Sequence, residues 1–277
     1  MPECLAVRQS VPCESFFLRG IIQIMIKCLT IAGSDPSGGA GIQQDLKVFR
    51  SYGLYGLSVI SSLTAQNSRK VTGVMPVPAV FVKRQLETLL TDMKPDATKT
   101  GMIYSGENVA AIASAIRRHS LKNVVVDPVI LSSTGMRLSE DDVPESIRKK
   151  LLPLCEAVTP NIYEASLLSG VRIATMRDME EAAMRLADLG ARNVIITGGH
   201  LEGTATDLVY DGGFHYLEGK KVLGEFHGTG CTFSAALAAE LAKGSGVREA
   251  ARAAKRFMKR VFRKTFSAGK GMRLFNL

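Results

Sequence analysis

Apolar runs of strand length alternate with amphipathic stretches of helical period along most of this chain, and that alternation limits its possible folds more than any other feature. Ile26 to Ala32 reads as a strand, and a glycine-rich turn leads from it to a helix over Ala40 to Tyr52. Leu57 to Thr64 is rich in β-branched residues, while Val80 to Met93 is amphipathic, with Val80, Leu86, Leu89 and Leu90 on one side. Ala97 to Met102 reads as a strand, Glu107 to His119 as a helix, and Val124 to Val129 as an apolar strand closed by Asp127-Pro128. A short strand at Ala157 to Thr159 precedes helices at Tyr163 to Leu168 and Asp178 to Leu189. Val194 to Thr197 is a strand, Ala205 to Leu217 holds a hairpin around Asp211-Gly212-Gly213, and helices follow at Thr229 to Ala242 and Val247 to Phe266. Repeated strand–helix units predict an α/β domain with a largely parallel sheet and helices on both faces. Ligands of such sheets bind beyond the carboxyl ends of the strands, so the loops that follow strands are the ones to read for function.

With 277 residues, 46% of them hydrophobic, the chain can bury one large core, and no linker or repeat divides residues 25–277. The net charge of +9 is concentrated between Arg248 and Arg273. From Arg252 to Arg263 the basic residues fall on one side of the last helix, with Phe257 and Val261 on another. This is a solvated helix face rather than a nucleic-acid surface, and no zinc-finger or RNA-binding signature accompanies it. Five scattered cysteines form no Cys-x-x-Cys pair, which fits a reducing cytoplasm. Phe16 to Ile26 is too short and too broken by Arg19 and Gln23 to span a membrane, and it lacks a secretory cleavage site. Residues 1–24 are expected to be a disordered extension or an upstream start, because Met25 opens the first strand naturally.

The most informative loop is His227-Gly228-Thr229-Gly230-Cys231-Thr232, which opens an Ala-rich helix. A glycine turn at a helix start leaves backbone N–H groups unpaired beside the positive end of the dipole, a place that favours phosphate. Cys231 lies inside it, where a thiol is expected to lose its proton more easily than in free solution. A tight helix entry with a packed thiol is the simpler alternative. The turn Gly33 to Gly41 carries four glycines in nine residues, plus Asp35, without being a dinucleotide fingerprint or a P-loop. Gln66 ends the second strand and can offer its amide to a ring edge or serve a turn. Asp127 ends an apolar strand, where it can face a metal-bound phosphate or cap a turn. Asn161 and Glu164 have capping-box spacing, although a hard cation also takes such a carboxylate. Thr197-Gly198-Gly199-His200 forms a further backbone-rich turn. The four histidines have no metal-ligand spacing.

Taken in order, seven segments resemble the hydroxymethylpyrimidine/phosphomethylpyrimidine kinases of thiamine biosynthesis. They are Ala32 to Gln43, Leu63 to Asn67, Lys99 to Met102, Val126 to Val129, Thr159 to Asn161 with Glu164-Ala165, Gly198 to Leu201, and His227 to Thr232; Gly269-Lys270-Gly271 resembles the family's ending. The resemblance implies a ribokinase-like three-layer αβα sandwich, usually a homodimer, that transfers phosphate from ATP with Mg2+ to 4-amino-5-hydroxymethyl-2-methylpyrimidine and then to its monophosphate. It places Gln66, Asp45, Gly33, Met102 and Val129 at the pyrimidine. Asp127, Asn161, Thr197, Gly199 and Thr229 fall on the nucleotide and phosphate side, with Glu164 and Asp127 toward the metal. Gly228, Gly230 and Cys231 form the anion hole, Cys231 standing where related sugar kinases place an aspartate base. The partners implied are small molecules alone, with neither nucleic acid nor membrane.

Three departures touch phosphate handling. Thr197 stands where the family often has lysine, Ser132 to Met136 lacks the family's lysine and aspartate, and Glu225-Phe226 replaces Asn-Thr before the glycine motif. Either Arg137 or another basic residue compensates, or the second phosphorylation is weak. Competing readings are a pyridoxal or pyridoxine kinase and a non-catalytic pyrimidine or nucleotide sensor.

Overall fold

The computed structural model describes residues 25–199 and 205–277, so the expected extension at 1–24 and His200 lie outside the described residues. Its strands are β1 (Lys27–Ser34), β2 (Tyr55–Gln66), β3 (Val71–Pro76), β4 (Ala97–Thr100), β5 (Val124–Val126), β6 (Ala157–Val158), β7 (Val194–Ile196), β8 (Asp207–Tyr210) and β9 (Phe214–Leu217). They form one sheet in the order β3-β2-β1-β4-β5-β6-β7-β8-β9. The six from β2 to β7 across the middle are parallel, and β3, β8 and β9 are antiparallel edges. The chain leaves β1 toward β2 and then returns to β4 on the other side of β1. That reversal opens a crevice at the carboxyl ends of β1 and β4.

Two helical layers complete a three-layer sandwich. One face of the sheet packs against α1 (Gly41–Ser51), α7 (Thr229–Ala242) and α8 (Val247–Val261). The other packs against α2 (Ala79–Leu90), α3 (Gly106–Arg118), α4 (Val143–Ser146), α5 (Ile162–Ser169) and α6 (Met176–Asp188). A π-helical turn at Ile147–Leu151 and a 3-10 turn at Leu152–Leu154 continue α4. Strand alternation sorts side chains between the layers. Leu29, Ile31, Val124 and Val126 face the α2–α6 side, while Cys28, Ala97, Val125 and Ala157 face α7. Small residues on that second face meet Ala235, Ala236, Ala238 and Ala239, so α7 lies deep against the sheet, and its amino end is carried to the crevice.

Most expected elements are present, with corrections. The strand beginning at Val124 ends at Val126, because Pro128 has no N–H for the ladder. Val80 is 78% exposed; Val82, Leu86 and Leu90 carry the buried stripe of α2 instead. The last helix stops at Val261 rather than Phe266, and β10 (Thr265–Phe266) pairs with β11 (Leu274–Phe275). Strand β3 and helix α4 with its two turns were not anticipated. On α8, Phe257 and Val261 are buried and Arg252, Arg256, Lys259 and Arg260 face outward as expected, whereas Lys255 turns in to Asp207. Among the described residues no helix is long and apolar enough to cross a membrane. Leu86→Ala, far from the crevice, should lower stability by about 3 kcal/mol in urea titration while leaving ligand binding by the folded protein unchanged.

Candidate active site

A fully buried lysine organises the crevice. Lys99 on β4 places its Nζ 2.9 Å from Asp45 Oδ2 on α1 and 3.7 Å from Asp127 Oδ2 just beyond β5. Thr30 of β1 donates to Asp45 at 2.6 Å, and Ser234 of α7 donates to Asp127 at 2.8 Å. Parallel register sets Thr30 beside Lys99 on the face toward α1 and α7. Burial alone would push the ammonium down, but Asp45, Cys231 and Asp127 around it carry it above its usual range, so it stays charged. Oδ1 of Asp45 is buried without a hydrogen-bond partner, an acceptor left for a donor that enters the crevice.

The glycine motif lies next to this centre. Gly228 is the N-cap of α7 with φ 76°, and no side chain caps the helix. A Cβ there would run into the Gly39 carbonyl, so both the left-handed backbone and the close packing require glycine. Thr232 donates to the Gly228 carbonyl at 2.7 Å and accepts from Gln44 at 2.9 Å, which fixes the first turn. Thr229 and Gly230 are exposed at the open end, as an anion site demands. The expectation for Cys231 is reversed. Burial pushes its thiol up to about 12; Lys99 and the Gly41 N–H oppose this, and the Asp127 and Asp45 charges add to it. Two carboxylates, Asp45 of α1 and Asp127 beyond β5, reach the same spot and work against the helix dipole.

The expected pyrimidine residues converge on one side. A Cβ on Gly33 would lie 2.9 Å from both Met102 Sδ and Ser62 Oγ, so Gly33 and Met102 form one wall. Met102 packs with Val71 and Leu138, and Val129 lies against that cluster. The Gln66 amide lies 3.0 Å from His227 Nε2, which is 2.8 Å from Asp35 Oδ2. A cavity of about 380 Å³ opens beside them, lined by Ser68, Arg69, Thr134, Glu225, Lys270 and Met272 among others. The tail closes this side: Met272 donates to the Ser68 carbonyl at 2.9 Å, and His227 donates to the Arg273 carbonyl at 3.0 Å.

On the other side, Asn161 and Glu164 form a complete capping box at the start of α5. Asn161 also bridges to Thr197, bringing two expected nucleotide residues together. Gly198 donates to Asp207 at 3.0 Å, and Asp207 is paired with Lys255 at 2.6 Å; Gly199 faces open space. The basic side chain next to the Thr197 turn is thus Lys255, held by a carboxylate. Arg137 does not reach the phosphate side: it bonds the Ser139 and Glu140 carbonyls and Asp141 in its own loop. Among the described residues no three acidic, histidine or cysteine side chains could jointly hold a metal. Asp127 with Glu164 suits a hard cation carried mainly by phosphate oxygens and water. The mechanically important residues without an expected role were Lys99, Ser234, Thr30, Asp35 and His227. Lys99 had one available signal: a lysine in the middle of a short strand predicted to lie inside a sheet covered on both faces has to find a buried partner.

At these strand ends a buried carboxylate and an uncapped helix start lie beside a cavity, in a three-layer sandwich of the kind built by the kinases of the ribokinase-like superfamily. Residues 35–276 match the phosphomethylpyrimidine kinase family, and the chain belongs to it. It is 46% identical to a hydroxymethylpyrimidine/phosphomethylpyrimidine kinase of Rhizobium meliloti, over 83% of this chain and 88% of that one. It is 45% identical to a thiamine biosynthesis bifunctional protein of Geobacter sulfurreducens over 88% of its length, but it spans only 50% of that longer relative. The structure superposes on an ADP complex of Bacillus subtilis pyridoxal kinase with a TM-score of 0.83 and 40% identity, covering 91% of this chain and 97% of that one.

Burial, then the Asp127 charge, pushes Glu164 up to about 8, against the opposing bonds from Asn161 and Ile130. An unfolded glutamate ionises near pH 4.3, so from there to about pH 8 the native state holds the extra proton and stability falls as pH rises. Glu164→Gln keeps a capping side chain at that helix position and should flatten this decline, read as urea midpoints from pH 5 to 9.

Proposed function

We propose that the chain transfers the γ-phosphate of ATP to the hydroxymethyl group of 4-amino-5-hydroxymethyl-2-methylpyrimidine, and then phosphorylates the monophosphate to the pyrophosphate, as part of thiamine biosynthesis. The observation that carries this reading is the meeting of three parts in one crevice: the pocket of Gly33, Met102 and Gln66, the Asp45–Lys99–Asp127 centre, and the uncapped start of α7. The family supplies the substrate class. Phosphoryl transfer needs positioning and charge neutralisation more than covalent help. The N–H groups from Thr229 to Cys231 stabilise charge on the transferring group. Mg2+ would be held by Asp127, whose Oδ2 is already oriented by Ser234, with Glu164 behind it, and would neutralise the phosphates. Asn161, Thr197 and Gly199 border the nucleotide.

Cys231 serves as the base for the hydroxyl in the first transfer. Its thiol carries a proton at rest, so it acts on the small fraction that ionises, a weak base by population but a strong one by affinity. The second nucleophile is already an anionic phosphate and needs no such base. A homodimer fits the exposed apolar residues Met75, Val80 and Phe81 near the β3 edge, and the free cysteines Cys28, Cys155 and Cys231 fit a reducing cytoplasm.

A pyridoxal kinase is the second reading, favoured by the close superposition on the B. subtilis enzyme. ADP release measured with the aminopyrimidine, with pyridoxal and with neither separates the two, and binding without turnover identifies a sensor. Cys231→Ala should reduce kcat about 100-fold for the first phosphorylation and less than 10-fold for the second. Equal losses in both would remove the base from Cys231.

A further inference from the structure

The Gln66 amide lies between two groups whose hydrogen-bonding roles are set elsewhere. On one side is Thr64 Oγ1, 3.2 Å from the amide atom placed as Oε1 and 3.0 Å from the Ser34 carbonyl. On the other is His227 Nε2, 3.0 Å from the amide atom placed as Nε2. The two ends of a glutamine amide have the same shape, so their identity follows from the protons available around them.

Asp35 decides the His227 side. Its Oδ2 accepts from the backbone N–H of Ala40 at 2.9 Å and of Gly39 at 3.2 Å, and from the Ser37 hydroxyl at 2.9 Å; Oδ1 accepts from the Ser37 N–H at 2.8 Å. A carboxylate oxygen with that many donors carries no proton. Burial would raise this carboxyl, but the bonds from His227 and Ser37 hold it below its usual range. His227 Nε2 at 2.8 Å therefore bears the proton, whether the ring is neutral or charged. Ser34 decides the Thr64 side. Its carbonyl can only accept, so the single hydroxyl proton of Thr64 goes there, and the oxygen turns a lone pair toward Gln66. With Nε2 toward His227, donor would face donor and acceptor would face acceptor. In the reversed amide the carbonyl shares the one Nε2 proton that His227 donates to Asp35, and the NH2 donates to Thr64, so neither contact sets like against like.

We propose that Asp35, His227 and Thr64 form a polarity lock on Gln66, holding its carbonyl toward His227 and its NH2 toward Thr64. One N–H and one lone pair then remain, presented to the pocket in a fixed order. A ring edge with an amino donor beside a ring-nitrogen acceptor matches that order. A ring offering two acceptors, an ionised hydroxyl beside a carbonyl, uses only the N–H. The three residues are positioning residues that set specificity through Gln66, and this consequence rests on the pyrimidine kinase reading above.

Two measurements test it. In protein labelled with 15N-histidine, the chain's four histidines allow assignment of His227 by its absence in His227→Gln. His227 should be protonated at Nε2 in the unliganded protein, and a bare Nε2 overturns the lock without reference to any activity. In steady-state assays Thr64→Val should raise KM for the aminopyrimidine about three- to tenfold, the range of one lost hydrogen bond, with kcat within about twofold. KM for pyridoxal should move less, and Thr64→Ser should restore the wild-type preference. Equal effects of Val and Ser, or an unchanged preference in Thr64→Val, overturn the proposal. Wild-type protein inert toward the aminopyrimidine would overturn the proposed function instead, and the histidine tautomer would still decide the lock.

Discussion

A lysine ammonium without solvent contact has to find negative charge inside the protein, and Lys99 finds it on Asp45 and Asp127, from two other parts of the chain. The crevice depends on that pairing. Without the ammonium, two buried carboxylates would face each other with no counter-charge, and removing one partner of such a group typically costs 3–5 kcal/mol. With it, α1 is tied to β4, the loop after β5 is tied to both, and Ser234 joins α7 to the same group. Each tie aligns an element that ends at the crevice: the start of α1, Asp127 itself, and the uncapped first turn of α7. The same electrostatics explain why Cys231 does not become an easy thiolate. The helix dipole and Lys99 favour the anion, but desolvation and the two carboxylates outweigh them.

The alternation of strands and helices was legible because both sheet faces are covered, so buried strands read as unbroken apolar runs and the helices as amphipathic stripes. The Thr229 to Ala242 helix was found at its observed ends, since glycines precede it and its interior is alanine. Strand β3, an edge with mixed burial, lacks such a signal, and helix α4 with its turns is short and irregular. Of the site, the residues in glycine loops were readable from spacing. The Asn161–Glu164 box was equally plain, because capping is a contact between near neighbours. Asp35 with His227, and Lys99 with Asp45, were not readable as pairs, because 192 and 54 residues separate the partners and only the sheet order brings them together.

The departures from the family pattern take on different weight in three dimensions. The lysine missing at Thr197 has a neighbour in Lys255, but that side chain is committed to Asp207 and the Ala205 carbonyl, where it anchors the turn. Arg137 is likewise committed within its own loop. Under the proposed function, the charge of a bound phosphate would be met by backbone N–H groups and a cation rather than by these two side chains. On the other side Gly33 and Met102 form one wall, Val129 packs against the Met102 cluster, and Gln66 is held beside His227. Kinases for pyrimidine and for pyridoxal share this framework, so the discrimination between them has to come from the polarity of a few groups rather than from shape.

The tail described with the site has a consequence for how the protein is made. His227 and Phe226 are held by Arg273, and Phe226 lies among Phe262 and Phe275. The sheet, by contrast, is complete by Leu217. During synthesis the strands and the α2–α6 layer can therefore assemble before α7 and α8 emerge, and the turn at the start of α7 is held only once Arg273 has been made. A chain that stops within α8 would lack both part of one helical layer and the Arg273 carbonyl that holds His227. The backbone that precedes the uncapped helix is thus fixed by a contact that reaches across 46 residues to Arg273, later in the chain than every strand of the main sheet.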